Sequence, residues 1–175
     1  ATWDSILFCT SLLLGNNFIK KSLFELEKKI FLPKKLNFNQ EKHVFITGLP
    51  RSGTTVLLNY IYSSEEFGSL TYSNMPLILS PNFSKLFKKK SIKKRERYHK
   101  DGIYFDLKSP EAFDEVFFTL FNESNTKNEL LNYINLILIQ CNKKRYLSKN
   151  NLNFKRYNII QSILPNCLFI IPIRS

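Results

Sequence analysis

The stretch Val44–Tyr60, VFITGLPRSGTTVLLNY, decides the fold of this chain. An apolar run leads into a turn that contains Gly48 and Gly53, and apolar residues then continue at helical spacing. This order predicts a buried strand, a tight loop and the first turns of a helix. Glycines let the backbone N–H groups of such a loop converge, and the helix adds the positive end of its dipole. The stretch therefore predicts an anion-binding loop of the kind that cradles phosphates.

The loop departs from the nucleotide-kinase pattern at one position. The spacing from Gly48 to Gly53 matches G-x-x-x-x-G-K-[ST], but Thr54 stands where lysine is usual, and Thr55 follows it. In kinases that lysine is the cation that supports phosphoryl transfer together with Mg²⁺. Arg51, inside the loop, offers a planar fork of N–H donors instead. This substitution favours a doubly acidic group such as a phosphosulfate over a triphosphate.

The rest of the chain alternates between predicted helices and strands. Apolar spacing over Trp3–Phe31, interrupted at Gly15–Asn17, predicts two helices, and Ser109 with Pro110 predicts the start of another. The apolar run Cys167–Ile173 is typical of a strand inside a parallel sheet, and we expect it beside the strand that leads into the loop. Further helices are predicted at Thr54–Ser63, Asn128–Asn142 and Phe154–Ile163.

This alternation predicts an α/β P-loop fold with three layers, in which helices flank a central parallel sheet. We expect a single domain over residues 1–175, with N-terminal helices and a connector over residues 1–43 and the core over residues 44–175. The chain begins with Ala1 and stops at Ser175, directly after a strand-like run. We therefore expect it to be truncated at the C-terminus.

Charge and cysteine usage narrow the class of protein. The chain carries 26 Lys and Arg against 14 Asp and Glu, a formal net charge of +12, which attracts anions. The three cysteines form no CxxC pair and only two histidines are present, so we expect no metal site. The apolar run Ile6–Leu14 is too short to span a bilayer and follows Asp4 instead of a basic region. We therefore expect a cytoplasmic protein without a membrane span.

The segment LPRSGTT, residues 49–55, resembles the 5′-phosphosulfate-binding loop of the sulfotransferase superfamily. These enzymes use 3′-phosphoadenosine-5′-phosphosulfate (PAPS) as co-substrate and need no metal. The resemblance implies that the donor is bound by Pro50, Arg51, Ser52, Gly53, Thr54 and Thr55. It also places Arg174, in LFIIPIR, in the role of the arginine that holds the 3′-phosphate, although Ser175 stands where aspartate is usual.

Other segments extend the resemblance over almost the whole chain. In SKNN, Lys149 matches the lysine that stabilises the transferring sulfuryl group in tyrosylprotein-type sulfotransferases, although Asn150 and Asn151 replace their Asp-Pro. The segments SLTYSNMPLILSPN, ERYHKDGIYFD and SPEAFDEVFF, in this order, resemble a bacterial sulfotransferase family of ill-defined acceptor. The resemblance implies sulfuryl transfer from PAPS to a hydroxyl group of a small molecule, a glycan or a lipid, with Arg51 and Lys149 among the catalytic residues.

The base that takes the acceptor's proton has several candidates. Tyrosylprotein-type enzymes use a glutamate about twenty residues beyond the loop, but FGSLTYSNMP, residues 67–76, contains no carboxylate. His99 is the leading candidate, because a side chain with a pKa of about 6.5 can accept a proton at neutral pH. Asp101, Glu111 and Glu115 are the alternatives, whereas we interpret His43 as structural.

Two other functions compete with sulfuryl transfer. A P-loop kinase or other nucleotide-dependent transferase would fit the loop spacing, but the missing lysine counts against it. A nucleic-acid-binding protein would use the basic run Lys88–Arg97, but no base-reading or stacking motif accompanies that run. We therefore expect no nucleic-acid partner.

Overall fold

The computed structural model describes residues 15–33, 38–86, 95–96, 104–121 and 123–173, and within these ranges helices alternate with strands. The described helices are α1 (Asn17–Phe31), α2 (Thr54–Tyr62), α3 (Pro81–Ser84), α4 (Glu115–Leu120), α5 (Glu123–Cys141) and α6 (Tyr157–Ile163). The described strands are β1 (Val44–Ile46), β2 (Phe67–Gly68), β3 (Arg95–Glu96), β4 (Tyr104–Phe105), β5 (Arg145–Lys149) and β6 (Leu168–Ile170). Two short 3₁₀ turns cover Tyr72–Asn74 and Asn153–Arg156.

A four-stranded parallel sheet in the order β2-β5-β1-β6 forms the centre of the fold. In its register Val44 lies opposite Leu147 on one side and Leu168 on the other. All three residues of β1 are buried, as expected for a strand covered on both faces. The predicted α/β fold, with helices flanking a central parallel sheet, is confirmed.

Strand β6 pairs with β1 as predicted, but the prediction that it lies inside the sheet is wrong. Among the described strands, β6 is at the edge, with Leu168 50% and Ile171 59% exposed. Phe169 and Ile170 are partly buried, and Phe169 stacks on Phe45 and contacts the ring of Tyr157. The apolar composition of the run predicted its pairing correctly but not its position in the sheet.

Strand β5 is the central element that the sequence did not predict. Its sequence, RYLSK, contains only two apolar residues, yet Tyr146, Leu147 and Ser148 are all buried between β1 and β2. His43 holds the start of β5, because the N–H of Tyr146 donates to His43 Nδ1 at 2.9 Å. Since Nδ1 accepts this bond, the ring proton is on Nε2, which donates to the Phe38 carbonyl at 2.8 Å. The structural role predicted for His43 is confirmed.

The segment before α4 is tied to the chain that follows β2. The predicted helix start at Ser109 is wrong, because Ser109 Oγ instead accepts from the N–H of Asp106 at 2.9 Å and closes a turn. Pro110 forms an isolated antiparallel bridge with Thr71, and the N–H of Glu111 donates to the Leu70 carbonyl at 3.2 Å. These contacts carry Glu111 toward the end of the sheet at which the parallel strands finish.

The main core lies between the sheet and the helices α1, α4 and α5. Phe24 makes edge contacts with Phe117 and Tyr133, and Phe117 stacks on Tyr133 with ring centroids 4.9 Å apart. The buried hydroxyl of Tyr133 donates to the Ile78 carbonyl at 3.1 Å. Along α5, Leu130, Ile134 and Leu138 are buried, and Leu131 and Ile139 are partly buried.

Several predictions concern residues that lie partly or wholly outside the described ranges. The first predicted helix falls almost entirely on residues 1–14, and the basic run Lys88–Arg97 is described only at β3, which pairs antiparallel with β4. In the part of the chain that the structure describes, no helix is both long and apolar enough to cross a bilayer.

Candidate active site

Those predicted site residues that the structure describes gather at the carboxyl end of the parallel sheet. β1 leads there into the loop, and β5 ends there at Lys149, which lies opposite Ile46 in the register. β6 also points to this end, where Pro172 approaches the loop: a Cβ built on Gly48 would lie 3.5 Å from Pro172 Cδ. Ligands of open α/β sheets bind at this end of the strands.

The loop has the backbone geometry of an anion site. Arg51 and Gly53 both adopt left-handed conformations, with φ of 68° and 87°. Ser52 folds the loop back, because its N–H and its Oγ both donate to the Leu49 carbonyl, at 3.2 and 2.8 Å. A left-handed non-glycine residue costs on the order of 1 kcal/mol, and such residues cluster at ligand sites. Successive N–H groups in this kind of turn form a concave anion site.

The N-terminus of α2 completes the loop. Gly53 is its N-cap and supplies no side-chain cap, so the first-turn N–H groups depend on other partners. Within the described residues, the N–H groups of Gly53 and Thr54 meet no protein acceptor. Thr54 is buried whereas Arg51 is exposed, so the arginine is the loop cation that can reach a ligand in solution. The six residues from Pro50 to Thr55 are thus consecutive in this turn and at the start of α2, and their binding of the donor stays a prediction.

Lys149 and Glu111 form an ion pair at the end of β5. Lys149 Nζ lies 3.4 Å from Glu111 Oε1, and the two side chains are only 13% and 15% exposed. The hydroxyl of Tyr72 donates to Glu111 Oε2 at 3.3 Å. Glu111, one of the alternative bases, thus lies beside the lysine that the resemblance assigned to sulfuryl transfer. Partial burial strengthens the interaction between two opposite charges.

Glu115 is held in a different set of contacts. Asn150 Nδ2 donates to Glu115 Oε2 at 2.6 Å, and Arg156 Nη2 lies 2.8 Å from Oε1. The hydrogen bond from Arg156 lowers the pKa of Glu115. With both oxygens engaged and a lowered pKa, Glu115 is a poor proton acceptor. Among the described carboxylates, this leaves Glu111 as the stronger alternative to His99.

Asp114 is a buried carboxylate that sequence analysis did not single out. It is 4% exposed, and it accepts hydrogen bonds from Ser148 Oγ and, at 3.3 Å, from Asn150 Nδ2. Burial raises the pKa of Asp114, while the two hydrogen bonds oppose the rise. The available sequence signal for such a carboxylate was the polar Ser148 and Asn150 close to the apolar Leu147, because polar groups that become buried need hydrogen-bond partners.

The remaining predicted residues lie outside the described ranges. They are His99, Asp101, Arg174 and Ser175. Pro172, two residues before Arg174, adjoins the loop at Gly48, so the chain leaves β6 at the same end of the sheet. Over the described residues, no group of three or more His, Cys, Asp or Glu side chains could hold a metal ion.

Comparison with known proteins agrees with this geometry. The family model described as Sulfotransferase family matches residues 43–175. Neither the curated proteins nor the solved structures contain a significant match. The matched region begins at His43, which anchors the central strands, and includes the loop, Glu111 and Lys149. The chain belongs to the sulfotransferase family.

Proposed function

We propose that this sulfotransferase transfers a sulfuryl group from PAPS to a hydroxyl acceptor. The loop carries the proposal: it is an anion site with an exposed arginine, and threonine occupies the kinase lysine position. Lys149, a partly buried lysine, lies near the loop at the end of the adjacent strand β5. Fixed cations and N–H groups on two sides suit a ligand with two adjacent acidic groups.

In the proposed reaction, the loop N–H groups and Arg51 hold the 5′-phosphosulfate of the donor. The acceptor oxygen attacks sulfur in line, the new O–S bond forms, and the bond from sulfur to the bridging phosphate oxygen breaks. That electron pair stays on the phosphate of the product 3′-phosphoadenosine-5′-phosphate (PAP). Lys149 stabilises the charge that develops there, as a preorganised cation does in a site with little water. Arg174 holds the donor's 3′-phosphate.

The acceptor's proton passes to a base, and His99 remains our proposed base. Glu111 is the alternative that the described geometry favours, because it already contacts Lys149. A carboxylate beside that lysine would lie close to an acceptor hydroxyl aligned with the sulfur. The acceptor itself is proposed as a small molecule, a glycan or a lipid that carries a hydroxyl group.

The kinase alternative has less support from the same residues. Thr54 is 5% exposed in the first turn of α2, so it can supply a hydroxyl but no charge where a kinase places its lysine. Lys149 projects from a different strand, beside a carboxylate. We therefore propose sulfuryl transfer without a second candidate function.

Transfer of radiolabelled sulfate from PAPS tests the proposal, with the full-length protein and a panel of phenols, glycans and lipid alcohols. Lys149→Met is expected to lower turnover by about 10² to 10³-fold, as loss of one charge-stabilising donor does, with PAP affinity nearly unchanged. Lys155→Met, at an exposed lysine near the same strand end, is the matched control and should remain fully active. A wild-type protein that forms neither PAP nor sulfated product with any acceptor would refute the proposal.

A further inference from the structure

We propose that Asp114 is a positioning residue that holds Lys149 in register with the phosphate loop; this inference rests on the proposed function. The segment from Glu111 to Glu115 crosses the end of β5. Its three carboxylates contact the consecutive residues 148–150 at that strand end. Glu111 contacts Lys149, Asp114 contacts Ser148 and Asn150, and Glu115 contacts Asn150. Asp114 is the one of these three that is almost completely buried.

The first part of the argument concerns the two neighbours of Lys149. Asp114 accepts hydrogen bonds from both Ser148 and Asn150, so one carboxylate fixes the backbone on either side of the lysine. The N–H of Asn150 also donates to the Ile46 carbonyl at 3.0 Å. The position of the lysine Cα is thereby determined by buried polar contacts, while its ammonium group remains at the site.

The second part concerns the loop. Ser148 Oγ, while donating to Asp114, accepts from Asn153 Nδ2 at 3.2 Å, and that amide also approaches the Ile46 carbonyl at 3.4 Å. Ile46 is the last residue of β1, directly before the loop, and Thr47 Oγ1 donates to the Asn151 carbonyl at 3.2 Å. One buried network therefore joins the carboxylate to the strand ends that carry the lysine and the loop.

If Asp114 only stabilised the fold, substitution of any comparably buried carboxylate should lower kcat to the same extent. Glu27 provides this comparison, because it is 0% exposed and its pKa is raised by burial, as is that of Asp114. Glu27 accepts hydrogen bonds from the N–H and Nδ2 of Asn82 and from the N–H of Phe83, at the start of α3. These donors all belong to α3, not to the loop or to β5.

The experiment compares Asp114→Asn with Glu27→Gln in the full-length protein, at a temperature at which both variants are folded. Both substitutions should lower the Tm, because each replaces an oxygen that accepts a hydrogen bond with an NH₂ group, which would face another donor. Asp114→Asn alone should lower kcat, by about 10 to 100-fold, because small misplacements of catalytic groups carry penalties of this order. Its KM for PAPS should change by less than about threefold, because the loop donors themselves are intact.

A double-mutant cycle with Lys149→Met decides the mechanism. If Asp114 acts through Lys149, Asp114→Asn should cause little further loss of kcat in the Lys149→Met background. Multiplicative losses, or a Glu27→Gln variant as impaired in kcat as Asp114→Asn, would overturn the inference while leaving sulfuryl transfer intact. Absence of transfer by the wild type would instead remove the proposed function, and the inference with it. If Asp114→Asn does not fold, Ser148→Ala replaces it in the same cycle.

Discussion

Gly48→Ala is expected to destabilise the fold and weaken donor binding together. A Cβ at position 48 would lie 2.9 Å from Ser52 Oγ and 3.1 Å from Thr54 Cγ2, closer than side chains normally pack. Ser52 Oγ cannot simply rotate away, because it donates to the Leu49 carbonyl at 2.8 Å. Losing that bond costs about 1 kcal/mol, and overpacking typically costs about 1 to 3 kcal/mol. Because the clash involves two short side chains, we expect a loss of about 2 kcal/mol in the free energy of unfolding.

The same clash displaces two residues of the loop. Movement of Ser52 and Thr54 changes the directions of the neighbouring N–H groups, so we expect the Kd for PAP to rise about tenfold, equivalent to about 1.4 kcal/mol. Urea unfolding and calorimetry with PAP measure the two effects separately.

Gly68→Ala is the matched control for Gly48→Ala. Its Cβ would lie 3.1 Å from both Leu138 Cδ2 and Cys141 Cβ, where β2 packs on α5 away from the loop. It should lower stability by a similar amount and leave PAP affinity unchanged. The reasoning is refuted if Gly48→Ala binds PAP as tightly as the wild type, or if Gly68→Ala weakens binding equally.

Two further predictions concern histidines. His99→Gln should leave PAP affinity nearly unchanged and lower turnover about 10² to 10⁴-fold, as loss of a general base does; full turnover would transfer the role to Glu111, to be tested by Glu111→Gln. Burial lowers the pKa of His43 below 6.5, so its contribution to stability is present above pH 6.5 and is lost as the pH falls through the lower folded-state value. The wild-type Tm should therefore fall on acidification from about pH 7 to about pH 5, and His43→Gln should reduce this dependence. Equal slopes of Tm against pH in the two proteins would exclude His43 as the cause.

The phosphate loop could be predicted from sequence because its geometry is local. Gly53 adopts the left-handed conformation expected of a glycine before a helix, and Thr54 begins that helix as predicted. The residues that interact through the loop are close in sequence, so their spacing alone carries the information. Helix α2 accordingly begins at the predicted residue, Thr54, and ends one residue before the predicted end at Ser63.

The lysine site could not be predicted in the same way. Lys149 and Glu111 are 38 residues apart, and they meet only because β5 inserts between β1 and β2. That strand carries too few apolar residues to show a hydrophobic pattern. One of its buried residues is the polar Ser148, whose hydroxyl donates to Asp114 from another element. Polar partners of this kind permit a strand interior that hydrophobic periodicity does not identify.

Calorimetry with PAP in the presence of EDTA tests the central claim most directly. The full-length protein is expected to bind PAP without a divalent metal and more tightly than ATP, because in the proposed site the loop holds its ligand through N–H groups and Arg51. Arg51→Ala should weaken this binding by about 1.5 to 3 kcal/mol, the usual contribution of a charge-assisted hydrogen bond. Strict dependence on Mg²⁺, or a preference for ATP over PAP, would contradict the account.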